Sequence, residues 1–330
     1  MRGARIELAL DSGVWDLPAR GDIAVWRPRA GDELSALPKD RVVVLTGFRP
    51  DHDHFRALGY RTDLTGQAAA GLVCLPRARH EAHAMIAEAA QVVVPGGAIA
   101  IDGQKTDGVE GVLKDCKALG VVPGEAVSKA HGRIAVCAAD ARFLDWRAQD
   151  RVVDGFVTRP GVFSADGPDR ASVMLAGVLP RDLPSRVGDL GAGWGYLSRA
   201  VLARPGVQHL DVVEAEKVAL DCAGRNLGGD ARVALLWADA LAFKPARPWG
   251  AVVMNPPFHI GRDADPGLGQ AFIRAAHKGL APDGALWMVA NRHLPYEPVL
   301  RALFRTVEEV AGDGAFRVFR AAYPIRGKRT

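Results

Sequence analysis

Apolar and polar positions alternate in blocks along the second half of the chain. Short β-type apolar runs fall at residues 186–190, 209–214, 232–236, 251–254, 285–290 and 315–322. Stretches with helical spacing separate them at 196–203, 217–226, 269–280 and 298–304. Strands that alternate with helices build βαβ units and a parallel sheet. The pattern predicts an α/β fold, a doubly wound and mostly parallel sheet of Rossmann-like form, whose ligands sit at the carboxyl ends of the strands.

The first half carries a fainter version of the same order. Gly71-Leu72-Val73-Cys74-Leu75-Pro76 parallels Ala251-Val252-Val253-Met254-Asn255-Pro256, an offset of 180 at the prolines (76 to 256). Ile86-Ala87-Glu88-Ala89-Ala90 with Pro95-Gly96-Gly97-Ala98 parallels Ile273-Arg274-Ala275-Ala276-His277 with Pro282-Asp283-Gly284-Ala285, an offset of 187 (86 to 273). One loop longer by seven residues absorbs the difference. Order and spacing together predict two tandem related domains, 1–150 and 151–330. A connecting loop or hairpin is expected near 145–165, where Asp154-Gly155 and Pro160-Gly161 stand. The first copy reads as degenerate: Val42 to Phe48 replaces the glycine-rich run of the second, and Leu75-Pro76-Arg77 replaces Asn255-Pro256-Pro257.

Composition adds little to this picture but excludes several classes. The chain has 330 residues, 48% hydrophobic and 24% charged, which is ordinary for a globular protein. Domains of about 150 residues bury roughly 70% of the surface their unfolded chains expose, so neither half needs cross-links to fold. The four cysteines stand far apart with no C-x-x-C pair, which predicts buried free thiols in a reducing compartment. Glu7 and Asp11 interrupt the apolar stretch a secretory leader requires, and no apolar run approaches ~18 residues, so a cytoplasmic location without membrane insertion is expected. Asp51-His52-Asp53-His54, and His80 with His83, resemble metal sites only in composition and lack ligand spacing, so no metal is expected. Charge is uneven: 19 basic against 20 acidic residues over 1–150, 23 against 18 over 151–330. Arg317, Arg320, Arg326, Lys328 and Arg329 crowd the end. That bias suits a nucleic-acid partner through counterion release, and a solvated basic surface equally well.

Chemistry concentrates at the strand ends of the second half. Asp189, Gly191, Gly193 and Gly195 fall in a strand-to-helix turn. Glycines there let the backbone approach a ligand closely, and helix-start amides meet an anionic group or carboxylate. The spacing differs from the dinucleotide G-x-G-x-x-G, and a leading aspartate repels a pyrophosphate but suits an ammonium. Glu214, about 20 residues on, ends the next strand, where a carboxylate accepts both ribose hydroxyls. Asp239 ends the following loop, and Trp237-Ala238-Asp239-Ala240 offers stacking beside an acceptor for an adenine amine. Three acidic positions at successive strand ends outline a nucleoside with an amino-acid tail, S-adenosylmethionine. Asn255-Pro256-Pro257-Phe258 is the most specific signal: two prolines stiffen a loop at the sheet's carboxyl edge, directly before an aromatic ring.

With these residues the sequence resembles the class I S-adenosylmethionine-dependent methyltransferases, in the N-P-P-[FY] branch that methylates amino groups. Within that branch it is most similar to the bacterial small-subunit ribosomal RNA guanine-N2 methyltransferases of the C type, which carry an inactive duplicate domain ahead of the catalytic one. The resemblance covers residues 150–330 well and the first half in outline. It includes Gly161-Val162-Phe163-Ser164 with Asp169, the loop from Asn255 to His259, Val289-Ala290-Asn291 with Leu294-Pro295-Tyr296, and Gly314 to Arg320.

The resemblance implies that Asp189, Gly191, Gly193, Gly195, Glu214, Asp239, Ala240 and Asn255 hold the donor. It implies that Asn255, Pro256, Pro257 and Phe258 hold the target amine, with Phe163 and Ser164 in an entrance loop. On this reading the Asn255 side-chain oxygen and the Pro256 carbonyl accept the two N–H bonds of an exocyclic guanine amine while Phe258 stacks on the base. Rate then comes from positioning rather than from a strong base. The partner is ribosomal RNA or the small subunit, and the oligomeric state is not set. One departure is Ile260-Gly261 after His259, where relatives usually show Asp-Gly, so contacts to the RNA differ there. The same loop also serves enzymes that methylate another ribosomal guanine, a release-factor glutamine amide or a DNA adenine. A non-catalytic RNA-binding assembly factor is the remaining alternative, against which intact Gly191, Gly193, Glu214 and Asn255 stand.

Overall fold

The computed structural model describes residues 2–257, 259–260, 263–264 and 266–326, and the chain divides into two units, Met1–Gln149 and Asp150–Thr330. The first unit runs α1 (Arg2–Asp11), β1 (Ile23–Trp26), β2 (Val42–Leu45), α2 (Arg49–Ala57), β3 (Ala68–Cys74), α3 (Arg79–Val92), β4 (Val93–Gln104), α4 (Val109–Ala118), β5 (Ala126–Lys129) and β6 (Gly132–Ala138). A hairpin of β7 (Arg151–Val153) and β8 (Phe156–Thr158) opens the second unit. There follow α5 (Arg170–Val178), β9 (Arg186–Leu190), α6 (Tyr196–Leu202), β10 (His209–Glu214), α7 (Lys217–Asn226), β11 (Val233–Trp237) and β12 (Trp249–Met254). A two-stranded ribbon of β13 (His259–Ile260) and β14 (Asp263–Ala264) leads to α8 (Pro266–Gly279), β15 (Leu280–Asn291), α9 (Glu297–Leu303), β16 (Phe304–Gly312) and β17 (Phe316–Pro324).

The second unit is a seven-stranded sheet in the order β11-β10-β9-β12-β15-β17-β16. The first five strands are parallel and β17 is antiparallel to both its neighbours. Chain order reverses at β9, the place where doubly wound sheets open a crevice at their carboxyl edge. Its central strands are runs such as Ala251-Val252-Val253-Met254, buried on both faces as parallel strands covered by helices must be. The apolar pattern located β9 and β10 to the residue and misplaced β11 by one.

β16 and α5 are among the elements that escaped that pattern. β16 is an edge strand of mostly exposed residues, so Glu308 and Glu309 broke its apolar run and only the pairing with β17 defines it. α5 begins after Asp169, whose Oδ2 accepts the Ser172 amide at 2.9 Å and caps the helix.

The first unit has six strands in the order β2-β1-β3-β4-β6-β5, the same arrangement without the outermost strand. α3 and α8 are both 14 residues long, and β4 and β15 both 12, each displaced by 187 (79 to 266, 93 to 280). Each sheet also carries the same register shift: Ala68 pairs Val93 but Ala70 pairs Ala98, and Trp249 pairs Leu280 but Ala251 pairs Ala285. Register sets the offset of β3 and β12 at 181, one more than the prolines suggested (70 to 251). The expectation for Val42 to Phe48 is corrected: Val42–Leu45 is β2, the counterpart of β10, and the strand matching β9 is β1. β1 escaped notice because Arg27-Pro28-Arg29, not glycine, follows it.

Among the described residues no helix is long and apolar enough to cross a membrane. The four cysteines are free and buried.

Candidate active site

β9 ends in a turn that only glycine enters without strain at three places. Gly191, Gly193 and Gly195 have φ of 71°, 58° and 89°, left-handed values that cost a residue with a Cβ roughly 1–2 kcal/mol each. The Gly191 and Ala192 amides donate to the Val213 carbonyl on β10 at 2.9 and 3.2 Å, anchoring the turn to the neighbouring strand. A Cβ on Gly193 would meet no atom within 4 Å, so this residue faces open space.

Glu214, at the end of β10, ties the turn in place. Its Oε2 accepts the Gly193 amide and its Oε1 the Glu216 amide, both at 2.8 Å. Burial pushes its carboxyl upward, and the two backbone donors oppose that. Asp189 lies beneath the turn, fully buried in β9. Its Oδ2 accepts the Ser198 hydroxyl at 2.6 Å while its Oδ1 meets no donor. Burial, and then the charge of Glu214, push it up to about 7. Asp189 therefore supports the turn from below instead of lining the crevice, where the sequence pattern aims it at an ammonium.

The crevice above is lined by Phe163, Ser164, Asp169, Ser172, Gly191 to Leu197 in part, and Asn255, and spans about 390 Å³ including its open mouth. It brings Phe163, Gly191, Gly193 and Asn255 together, and Glu214 joins through the Gly193 amide. Phe163 is 62% exposed, and its carbonyl accepts the Trp194 indole N–H at 2.8 Å. Ser164 holds φ of 53°, and its hydroxyl donates to the Gly167 carbonyl at 2.7 Å, so this loop is strained yet tethered. Gly195 caps α6. Asp239 and Ala240 lie past β11, along the same edge: Asp239 Oδ1 accepts the Leu241 amide at 2.9 Å, and Ala240 is buried in the core with Leu190 and Met254. Trp237 stands opposite Glu214 in register and donates its indole N–H to the Ala215 carbonyl at 2.8 Å.

Asn255 follows β12 directly, ahead of a buried Pro256 and an exposed Pro257. Its amide nitrogen donates to Asp169 Oδ2 at 3.0 Å and to Ser172 Oγ at 2.9 Å. These two partners were missed as site residues. Their signal, an aspartate three residues before a serine at a helix start, reads from sequence only as a cap. Phe258 lies outside the described residues, as do Gly261, Lys328 and Arg329. The described arginines of the basic C-terminal stretch are engaged within the unit: Arg317 with Glu297 and Glu309, Arg320 with Glu308, and Arg326 with the Leu280 carbonyl. The site thus offers an open glycine turn with two carboxylates beneath it, next to a fixed amide on a stiff loop.

Residues 154–320 match the family described as Methyltransferase small domain. A relative from Pseudomonas aeruginosa, named ribosomal RNA small subunit methyltransferase C, is 30% identical over 270 residues, 78% of this chain and 80% of that protein. Another of the same name from Aeromonas hydrophila is 28% identical over 259 residues, 75% of each. A solved structure, T. thermophilus 16S rRNA N2 G1207 methyltransferase in complex with AdoMet and guanosine, has a TM-score of 0.79 and 25% identity, covering 97% of this chain and 91% of that one.

Proposed function

The chain belongs to the methyltransferase small-domain family, and from that premise we propose that it methylates the exocyclic N2 amine of a guanine in small-subunit ribosomal RNA, with S-adenosylmethionine as donor. The similar proteins named for small-subunit ribosomal RNA methylation, and the similar structure that holds AdoMet and guanosine, support this substrate and cofactor. One observation carries the reading: the Asn255 amide is fixed beside the open glycine turn.

The residues present fit the donor. Glu214 is the carboxylate for the ribose hydroxyls, and Gly191, Gly193 and Gly195 leave room for backbone approach. Asp189, buried with an orphan oxygen, lies beneath the place of the cationic ligand. Asp239 and Ala240 border the base, and Phe163 closes the entrance. Bound S-adenosylmethionine supplies an electrophilic methyl group on sulfur. A guanine amine is a weak nucleophile because its lone pair is delocalised into the ring, so this chain's task is orientation. Asn255 Oδ1 and the Pro256 carbonyl accept the amine's two N–H bonds, and the stiff prolines hold both acceptors still. Orientation of this kind replaces a general base as the source of rate. The first domain, 1–150, then holds the RNA or supports the catalytic domain, 151–330. A base inside a helix is unstacked first, at a cost of a few kcal/mol.

The test is incubation of the full chain with labelled S-adenosylmethionine and small subunits or 16S RNA, followed by nucleoside analysis. N2-methylguanosine is expected. Label in a release-factor glutamine or in DNA adenine would overturn the acceptor, and failure to bind the donor would leave only an RNA-binding factor.

A further inference from the structure

We propose that Asp169 and Ser172 lock the hydrogen-bond polarity of Asn255, so that this side chain shows the crevice an acceptor and never a donor. The inference deepens the reading above and rests on it. Asp169 is a positioning residue in this scheme: it acts on the amine through Asn255.

A carboxamide is nearly symmetric in shape, and a half turn of its terminal torsion exchanges an acceptor for two donors. A loose Asn255 would therefore bind a carbonyl as readily as an amine. In the structure its two N–H bonds have two acceptors, Asp169 Oδ2 at 3.0 Å and Ser172 Oγ at 2.9 Å. An ionised carboxylate accepts only, so the reversed amide would set oxygen against oxygen. With both hydrogens consumed, the free hydrogen-bonding capacity of the side chain is the Oδ1 lone pairs. Asp169 is itself held, since the same Oδ2 accepts the Ser172 amide at 2.9 Å as the cap of α5. One carboxylate oxygen thus fixes a helix start and the chemical identity of the neighbouring acceptor. The consequence is selection for amino groups over ring carbonyls, before any contact that reads which amine it is.

Asp169→Asn separates the two duties, because asparagine caps helices as well as aspartate does but presents either donors or an acceptor to Asn255. In Asp169→Asn the donor affinity measured by calorimetry should stay within about twofold, while kcat on the RNA falls about 10- to 100-fold with KM for the RNA little changed. Ser172→Ala, which strands one N–H, should lower kcat about two- to fivefold. The swap adds a readout that a structural role would not move. Asn255→Asp alone sets two carboxylates side by side, and adding Asp169→Asn restores a donor facing an acceptor and leaves an oxygen toward the crevice. The double variant should recover at least about tenfold over Asn255→Asp. Unchanged kcat in Asp169→Asn, a parallel loss of donor affinity, or no recovery in the double variant each overturns the lock. Activity of the unaltered chain on 16S RNA reports on the proposed function separately, and the ratios between variants are read on whichever amine that chain methylates.

Discussion

The two units begin the same turn after the central strand and surround it with opposite chemistry. In the first, Arg27 follows β1 with φ of 52° and donates its amide to the Leu45 carbonyl at 2.8 Å. In the second, Gly191 follows β9 with φ of 71° and donates to the Val213 carbonyl at 2.9 Å. At the end of the neighbouring strand, Thr46 Oγ1 accepts the Phe48 amide at 3.3 Å where Glu214 Oε1 accepts the Glu216 amide at 2.8 Å. Cys74, buried, stands at the register place of Asn255. The helix ahead of each central strand also reaches that strand end. α5 brings Asp169 and Ser172 to Asn255, whereas α1 brings Arg2 and Arg5 to Asp102, the sheet partner of Cys74. The first left-handed step therefore does not require glycine, and the strand ends require neither the carboxylate nor the amide; beyond that step the two paths part, since Gly193 and Gly195 keep left-handed φ and their counterparts Arg29 and Gly31 do not. The second unit thus differs in both the later course of its turn and the polar groups set around it.

The sharpest way to break this comparison is to truncate the matched pair of strand-end residues. Asn255→Ala should lower kcat about 10²–10³-fold, the cost of removing one preorganised polar contact to the reacting group, with donor binding largely intact. Cys74→Ala should leave turnover of the full chain within about twofold, since no reacting group is expected beside it. Steady-state kinetics with parallel calorimetry reads both, and comparable losses in the two variants would show that the first unit keeps chemistry of its own.

Next comes the ion group that occupies the strand end of the first unit. Arg5 is 1% exposed, pairs with Asp102 at 2.5 Å, and Asp102 is fully buried. Removing one partner of such a pair typically costs about 3–5 kcal/mol because a charge stays buried with fewer partners. Arg5→Met should lower the stability of the first unit by about that much in urea unfolding. Donor affinity of the second unit should not change, which would show that the ion group serves packing alone.

How much of this difference is visible in the amino-acid sequence depends on the range of the interactions. β9, β10 and the glycine turn were legible because their signals are local: an apolar run, then residues that tolerate left-handed φ. Glu214 and Asn255 were legible as chemistry because each ends a recognisable strand. Asp169 and Ser172 were not, since they lie 86 and 83 residues before Asn255 and meet it only through sheet order. The burial of Asp189 was hidden for the same reason. β1 and β16 were lost to composition, one ending in Arg-Pro-Arg and the other lying exposed at an edge.

Asp189 sharpens the comparison through pH. Its register counterpart is Val25, fully buried, so a strand in this place needs no carboxylate. Below its ordinary value of 3.8 the carboxyl is protonated in both folded and unfolded chains. Between there and about 7 the unfolded chain ionises and the folded chain holds its proton, so stability falls as pH rises through that window and the full cost applies above it. Asp189→Asn should remove this slope and raise stability at pH 8 by about 2 kcal/mol, part of the burial cost remaining with the amide. Melting curves between pH 4 and 8 read it, and an unchanged slope would assign the pH dependence elsewhere.

The smallest expected effect asks the most of the proposed donor site. Gly193 corresponds in the turn to Arg29, which is exposed and outside the left-handed region. Gly193→Ala meets no neighbour within 4 Å, so only its φ of 58° opposes the change, at about 1 kcal/mol. The new methyl group would nonetheless stand in the crevice, over the amide that Glu214 holds. Donor affinity should fall about tenfold, equivalent to about 1.4 kcal/mol, while the fold is barely disturbed, and Arg29→Ala should alter neither. Because the protein itself leaves that space open, a loss of affinity there has one physical source, collision with a bound ligand. Calorimetry showing full affinity in Gly193→Ala would place the donor somewhere other than above this turn.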